Sequence, residues 1–307
     1  MLKPRALKPG DRLAVVSPAS PFAREEFDRG IDELVRLGFL PVFDETVFAR
    51  RAYVSGAADV RAAAIGRAWR DPDIAGVIAV RGGYGSAQVL PLLDRAEAAR
   101  TRKAFIGYSD LTAILSFLTT GAGLVAFHGP MLAGRLARGA DGYDRASFMD
   151  ALCRTVPMGE LAPAGLEIVR PGEATGPLLG GTLTQLLASL GTPFAFDPPR
   201  GFVLFLDEVG ERPYRLDRMV TQLRQSGLLA RAAAVVIGEL PRCDEPSGGL
   251  TARGAMADLF ADFPGPVATG FPSGHTSGPA WTLPFGVRCR VVAADVPRVI
   301  IEEAAVE

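Results

Sequence analysis

Ser109 is a candidate catalytic nucleophile. It follows the apolar run Lys103 to Ile106, which reads as a strand, and precedes the helical pattern Leu111 to Leu118. A sharp turn between a strand and a helix would expose its hydroxyl, and the helix N-terminus would stabilise developing negative charge. Leu111 stands where a G-x-S-x-G elbow has its second glycine, and Ser109 or Asp110 could instead cap the helix.

A serine nucleophile needs a general base, and the chain has only two histidines, His128 and His275. Imidazole is the side chain that is neutral and basic near pH 7. His128 ends an apolar run, whereas His275 lies in the Gly/Ser-rich segment Phe271 to Gly278. Either histidine could also be structural. The residues alone therefore leave two candidates for the base.

A carboxylate that orients the histidine is available directly after the apolar run Phe202 to Leu206, at Asp207 and Glu208. One of these two side chains is expected to face inward, where it could bind an imidazole N–H. They could instead stabilise a helix N-terminus or pair with Arg212 or Arg215. The pattern does not decide between the two carboxylates.

The glycine-rich segment Arg81 to Ser86 also follows an apolar run and could present backbone N–H groups to an anion or oxyanion. It matches neither G-x-G-x-x-G nor a Walker A loop, so no nucleotide cofactor is predicted. A plain turn between a strand and a helix would have the same composition.

Metal chemistry lacks its usual ligands in this sequence. The three cysteines, Cys153, Cys243 and Cys289, are widely spaced and form no CxxC pair, and the two histidines are far apart. Zinc and other transition metals are normally held by such clusters. We therefore predict no metal and three reduced, structural thiols.

The elements that must position these residues alternate between strand and helix in the first half, which predicts an α/β fold with a mostly parallel sheet covered on both faces. The expected strands are Arg12–Ser17, Phe39–Phe43, Ile74–Val80, Lys103–Ile106 and Leu124–Phe127, and the expected helices are one ending at Gly38, Ala58–Arg70, Ser86–Leu93 and Leu111–Leu118. Ligands of such sheets bind at the carboxyl ends of the strands, where the candidate residues lie.

The second half is again α/β. It has expected strands at Phe202–Leu206, Ala233–Ile237, Val267–Thr269 and Val287–Val292, and helices at Thr182–Leu190 and Arg215–Gln225. Between the halves the pattern weakens and prolines accumulate at Pro157, Pro163 and Pro171. We therefore predict a first domain over 1–150, a linker over 151–175 and a second domain over 176–307.

Composition narrows the function classes. The chain has 307 residues, 48% of them hydrophobic and 22% charged, with a formal net charge of −1. A length above about 300 residues favours two domains. The balanced charge favours neither nucleic acid nor a membrane surface as partner. The N-terminus has prolines and charges where an export signal needs an apolar stretch, and no apolar run approaches the roughly 20 residues of a membrane span, so a cytoplasmic location is predicted.

The set of motifs resembles the LD-carboxypeptidase family of serine peptidases, which also contains the microcin C immunity peptidases. The motifs occur in the family's order between about Gly10 and Val292, and they are Arg81-Gly82-Gly83-Tyr84-Gly85, Gly107-Tyr108-Ser109-Asp110-Leu111-Thr112, Phe127-His128-Gly129-Pro130-Met131, Leu206-Asp207-Glu208, Gly238-Glu239, and Gly274-His275 followed by Leu283-Pro284-Phe285-Gly286.

The resemblance implies a Ser-Glu-His triad of Ser109, Glu208 and His275, with the backbone N–H groups of Gly83 and Asp110 as the oxyanion hole. It also implies a flavodoxin-like or Rossmann-like N-terminal domain, a C-terminal domain of β-barrel-like or swivelling character, an active site between the domains, and a homodimer without cofactor.

By this resemblance, the expected reaction is release of terminal D-Ala from cytoplasmic muropeptide tetrapeptides in peptidoglycan recycling. The alternatives are an immunity-type peptidase acting on peptidyl or aminoacyl nucleotides, and a small-molecule binding module without catalysis. The sequence offers no clear aromatic residue for stacking on a nucleobase, which favours the small peptide substrate.

Overall fold

The computed structural model describes residues 1 to 307 and places them in two β-sheets with helices packed against each. The strands are β1 (Arg12–Val16), β2 (Leu40–Val42), β3 (Ile74–Ala79), β4 (Ala104–Gly107), β5 (Ala126–His128), β6 (Gly159–Leu161), β7 (Glu167–Arg170), β8 (Gly172–Thr182), β9 (Phe202–Asp207), β10 (Ala232–Gly238), β11 (Val267–Phe271), β12 (Leu283–Phe285), β13 (Arg288–Ala293) and β14 (Arg298–Ile301).

The helices are α1 (Arg24–Arg36), α2 (Ala58–Arg70), α3 (Arg95–Thr101), α4 (Thr112–Ser116), α5 (Arg145–Cys153), α6 (Leu183–Ala188), α7 (Pro213–Gln225) and α8 (Ala252–Leu259). None of them combines the length and the apolar character needed to cross a bilayer. The segment expected as a helix from Ser86 is a 3-10 segment, Ser86–Leu92, that contains Pro91. Proline has no N–H to donate and blocks a regular α-helix.

The first sheet has the order β2-β1-β3-β4-β5-β12. Strands β1 to β5 are all parallel. The order 2-1-3-4-5 is that of flavodoxin-like folds, so this sheet is the flavodoxin-like one of the two arrangements expected. Every residue of β3 is buried, which explains its uninterrupted apolar sequence, because helices cover both faces of a parallel sheet.

The second sheet has the order β6-β14-β13-β8-β9-β10-β11-β7. Its four central strands, β8 to β11, are parallel, and the outer strands on both sides are antiparallel. The order is linear, with β6 and β7 at the edges. The C-terminal part is thus a mixed α/β layer whose sheet does not close on itself.

Most of the segment predicted as a linker, 151–175, belongs to the second sheet, after the last residues of α5. It contains the edge strands β6 and β7 and the first residues of β8. Both edge strands are short and largely solvent-facing, so they lack the apolar run that marks a buried strand. The prolines that suggested a linker lie in the loops before and between these strands, where no ladder hydrogen bond is lost.

The two halves interlock, so the boundaries predicted from the sequence do not separate two independent units. Strand β12, which belongs to the second half of the sequence, pairs antiparallel with β5 and completes the first sheet. The backbone of Glu307 also exchanges hydrogen bonds with Pro4 and Ala6, at 3.0 and 2.8 Å. One continuous cluster of buried apolar side chains includes members of both sheets.

Gly180 in β8 is predicted to tolerate no side chain. It has φ +148°, and a Cβ there would lie 1.9 Å from the carbonyl oxygen of Phe205 in the next strand. Gly180→Ala should therefore lower the free energy of unfolding by more than about 3 kcal/mol. Gly191 is the matched control, because it has φ +77° and open space around its Cβ position.

Gly191→Ala should cost only about 1 kcal/mol, the price of the backbone conformation alone. Urea denaturation of both variants measures the difference. Equal losses for the two variants would mean that the close approach of β8 to β9 at Gly180 is wrong.

Candidate active site

Ser109 lies on a strained turn between β4 and α4. Its φ of +64° is in the left-handed region, which residues other than glycine seldom adopt. The chain passes directly from the strand into a 3-10 turn, Ser109–Leu111, and then into α4. Strain of this kind persists only where the surrounding structure enforces it, and it is concentrated at functional sites. Ser109 thus has the strand–turn–helix setting of a nucleophile although the second glycine of the usual motif is absent.

The glycine-rich loop after β3 packs against this turn. A Cβ on Gly82 would lie 3.2 Å from Oγ of Ser109 and 3.3 Å from the backbone nitrogen of Asp110. The Asp110 carboxylate accepts a 2.8 Å hydrogen bond from the backbone N–H of Ser86, and the Ser86 hydroxyl donates to the carbonyl of Asp110. Hydrogen bonds therefore hold together, beside Ser109, the two segments that contain the predicted oxyanion donors Gly83 and Asp110.

His275 is held by Asp207. Its Nδ1 lies 2.7 Å from Oδ2 of Asp207, and its backbone N–H donates to Oδ1 at 3.1 Å. The hydroxyl of Thr182 donates to the same carboxylate at 3.2 Å. Burial opposes protonation of His275, but the Asp207 carboxylate outweighs it, so the pKa of His275 lies above its ordinary value. With Nδ1 donating to Asp207, Nε2 of the neutral ring is free to accept a proton.

Glu208, expected as the acid of the triad, does not contact His275. Its carboxylate accepts from the backbone N–H and the hydroxyl of Thr184, at 2.9 and 2.6 Å, and from the backbone N–H of Val209 at 3.0 Å. It thereby fixes the start of α6. Successive side chains at a strand end point to opposite sides, so only one of Asp207 and Glu208 can reach the histidine. The structure identifies that residue as Asp207, which corrects the assignment implied by the family resemblance.

His128, the other candidate base, is fully buried. Its Nδ1 lies 2.9 Å from Oγ of Ser273, and that hydroxyl donates to the carbonyl of Trp281. Nδ1 of His128 must therefore be the donor, and Nε2 has no partner. Burial lowers the pKa of His128 to about 4, so the ring is neutral. In His275, by contrast, 17% of the side-chain surface is exposed to solvent, so His275 is the histidine that a substrate can reach.

Gly274 allows the histidine and the acid to meet, a role that the sequence analysis did not assign to it although Gly274-His275 is one of the family motifs. It has φ +74°, and a Cβ there would lie 2.5 Å from Oδ2 of Asp207 and 2.7 Å from Cε1 of His128. Thr182 was likewise seen only as the start of a helix. The one available signal was the Ser-Gly-His sequence itself, because a glycine next to a candidate base often marks a close approach of the backbone.

No group of three or more His, Cys, Asp or Glu side chains is placed so that it could hold a metal ion. The three cysteines are unpaired, and Cys243 and Cys289 are buried. A mechanism without metal or cofactor remains a prediction. The titratable groups that the structure does bring together are the carboxylate of Asp207 and the imidazole of His275.

Comparisons with known proteins give the family. The family described as LD-carboxypeptidase N-terminal domain matches residues 13–129, and the family described as LD-carboxypeptidase C-terminal domain matches residues 175–291. The chain belongs to the LD-carboxypeptidase family and is a serine-type carboxypeptidase.

Two curated relatives align along nearly the whole chain. A putative carboxypeptidase of Streptomyces coelicolor is 39% identical over 94% of this chain and 92% of its own length. A probable murein peptide carboxypeptidase of Bacillus subtilis is 32% identical over 97% of this chain and 94% of its own.

Two solved structures share the fold. The muramoyltetrapeptide carboxypeptidase from Oxalobacter formigenes has a TM-score of 0.82 and 28% identity, and the match covers 94% of this chain and 97% of that chain. The microcin C7 self-immunity protein MccF, in complex with glutamyl sulfamoyl guanosine, has a TM-score of 0.90 with full coverage of both chains. Its identity is 23%, so this second likeness concerns the fold alone.

The buried neutral His128 is predicted to make the protein less stable in mild acid. Its pKa is about 4 in the folded state and 6.5 when unperturbed, so the unfolded chain binds more protons between these values. Stability contributed by the neutral ring should therefore be lost as the pH falls from 6.5 towards 4, by about 3 kcal/mol.

His128→Asn keeps a donor for Ser273 and removes the titration. Denaturant unfolding between pH 4 and pH 6.5 should show a flatter pH dependence for this variant than for the wild type. Because other titrating groups are common to both proteins, the difference between the curves isolates His128. Parallel curves would show that His128 is not buried as a neutral ring.

Proposed function

We propose that this protein is an LD-carboxypeptidase that hydrolyses the bond before the terminal D-Ala of muropeptide tetrapeptides, with Ser109, Asp207 and His275 as its triad. The observation that carries the proposal is a histidine held by a buried carboxylate, whose ring packs 5.2 Å, between centroids, from the Tyr108 ring next to the strained and partly exposed Ser109. Neither the backbone strain nor the buried ion pair would be expected of a binding module without catalysis.

In the proposed reaction, Nε2 of His275 removes the proton of Ser109 as Oγ attacks the scissile carbonyl carbon. Asp207 holds the imidazole in the required tautomer and stabilises its protonated form. The backbone N–H groups of Gly83 and Asp110 donate to the oxyanion of the tetrahedral intermediate. The intermediate collapses to an acyl-enzyme as His275 passes its proton to the amine of the departing D-Ala.

A water molecule then completes the cycle. His275 takes a proton from the water molecule as the water oxygen attacks the acyl carbonyl carbon. His275 then gives this proton to Oγ of Ser109 when the ester bond breaks. The products are free D-Ala and a peptide shortened by one residue. The enzyme is regenerated without a metal or an organic cofactor.

The muropeptide is favoured over a nucleotide substrate by the relatives at 30% identity or more. The Bacillus subtilis relative is called a murein peptide carboxypeptidase, and a Pseudomonas aeruginosa relative, 30% identical over 90% of this chain, is called a murein tetrapeptide carboxypeptidase. The Escherichia coli microcin C7 self-immunity protein is 26% identical over 92% of this chain. A small peptide substrate, a homodimer and a cytoplasmic location remain part of the proposal.

The substrate is tested directly by mass spectrometry. Purified protein incubated with a tetrapeptide ending in D-Ala should release D-Ala, whereas an aminoacyl sulfamoyl adenylate should remain intact. Ser109→Ala is the control for contaminating peptidases and should lower the rate by at least about 10⁴-fold. Cleavage of the adenylate alone would replace this function with the immunity-type one.

The acid of the triad is tested by an isosteric pair. Asp207→Asn should lower kcat by about 10⁴-fold, because the amide cannot stabilise the protonated His275 and favours the wrong tautomer. Glu208→Gln should keep kcat within about 10-fold of the wild type, with a loss of stability from its disturbed contacts to Thr184 and Val209. Rates are compared on protein shown to be folded. A larger loss of kcat in Glu208→Gln would restore Glu208 as the acid.

A further inference from the structure

The guanidinium of Arg135 makes an unusual set of contacts close to the base. Its side chain is buried, with 6% of the residue exposed, yet no carboxylate pairs with it. Its hydrogen bonds go to backbone carbonyls: from Nη2 to Gly274 at 2.9 Å and Thr276 at 2.8 Å, and from Nη1 to Gly278 at 3.0 Å and Gly142 at 3.4 Å. Three of these four acceptors lie in the segment that carries His275.

Arg135 itself belongs to the first sheet's side of the molecule. The backbone N–H groups of Leu132 and Ala133 donate to the carbonyls of Ala79 and Val80, at 3.1 and 2.8 Å. These acceptors are at the end of β3, directly before the glycine-rich loop that packs on Ser109. The backbone that carries Arg135 is therefore held in a fixed position relative to the end of β3, and through the glycine-rich loop relative to Ser109.

The segment between β11 and β12, residues 272–282, needs such an external anchor. It joins the second sheet to the first and forms no helix or strand of its own. Buried carbonyl groups without a donor cost free energy comparable to a lost hydrogen bond. A guanidinium presents five N–H donors in a fixed fork, so one side chain can satisfy several carbonyls at once.

His275 lies between the two residues whose carbonyls share Nη2 of Arg135. Its own backbone N–H donates to Asp207. The peptide units on both sides of the base are thus fixed, by Asp207 from the second sheet and by Arg135 from the first. No other side chain hydrogen-bonds the carbonyls of both Gly274 and Thr276.

We propose that Arg135 is a positioning residue that sets the distance between His275 and Ser109 by binding the carbonyls on either side of the histidine. It acts through the backbone, because its hydrogen bonds go to carbonyls and none goes to Ser109, to Asp207 or to the imidazole of His275. The inference rests on the proposed function in that it requires His275 to be the base for Ser109.

Arg135 should also affect the titration of His275. Four ionisable side chains besides Arg135 bear on the imidazole: Asp207 and Tyr108 contact it, and Glu208 and His128 interact with it through their charges. The two carboxylates raise the pKa of His275, and the positive charge of Arg135 lowers it. Removing that charge should move the acid limb of the kcat/KM profile to higher pH, since a higher pH is then needed to free the base.

The experiment separates charge from geometry with two variants of the full chain. Arg135→Met removes both the charge and the donors, and Arg135→Lys keeps the charge but not the fork. Cleavage of the D-Ala tetrapeptide should show kcat lowered by about 100-fold in Arg135→Met and about 10-fold in Arg135→Lys, with KM within about threefold. Only Arg135→Met should shift the acid limb upward.

Lys103→Met is the matched control. Lys103 is another buried cation that donates only to backbone carbonyls, those of Ala68 and Asp71, but it lies away from the site. This variant should lose stability and keep both kcat and the pH profile. Circular dichroism and urea unfolding establish that each variant is folded at the assay temperature.

Millimolar guanidinium chloride added to Arg135→Ala should restore part of kcat by occupying the vacated site. Arg135→Ala also replaces Arg135→Met in the kinetic comparison if Arg135→Met does not fold. The rate at which a fluorophosphonate labels Ser109 is measured in parallel. This labelling rate tests the role of Arg135 without the tetrapeptide. If the wild-type protein leaves the tetrapeptide uncut, that result contradicts the proposed function but not the role of Arg135. Folded Arg135 variants with wild-type labelling rate and pH profile would overturn the inference.

Discussion

The hydrogen bond between Nδ1 of His275 and Oδ2 of Asp207 constrains much of the surrounding structure. Asp207 is the last residue of β9, so the histidine has to reach the centre of the second sheet. Gly274 must lack a side chain because a Cβ would collide with Asp207. Thr182, at the end of the adjacent β8, donates a further hydrogen bond to this carboxylate. A fully buried carboxylate is stable only when such donors surround it.

That pair is useful only if it faces Ser109, which is attached to the other sheet. The segment carrying His275 begins at the end of β11 in the second sheet and ends at β12 in the first. The segment that carries the base is therefore anchored to both sheets. Rotation of one sheet against the other would strain the two ends of this segment. The geometry of the site follows from the docking of two layers, and β12 fixes that docking through the backbone ladder with β5.

The sequence predicted the elements with uninterrupted apolar runs or clear helical spacing, such as β3, β9 and α2, and it named Ser109 and His275 as candidates that the proposed mechanism uses. It could not decide between Asp207 and Glu208 for a physical reason. Every residue of β9 is buried, so no alternation of polar and apolar side chains shows which face the next residue takes. The strands within 151–175 were missed because edge strands bury too little to leave a pattern. The contacts of Arg135 join residues about 140 positions apart, and no local pattern encodes them.

The late position of β12 in the chain has a consequence for biosynthesis. Until residues 283–285 leave the ribosome, β5 is an open edge of an otherwise complete parallel sheet, with unpaired backbone groups available to other chains. N-terminal segments emerge and begin to fold first, at about 5–20 residues per second. The first sheet must therefore wait many seconds for its last strand, and the hydrolase becomes competent only after residue 285 has been translated.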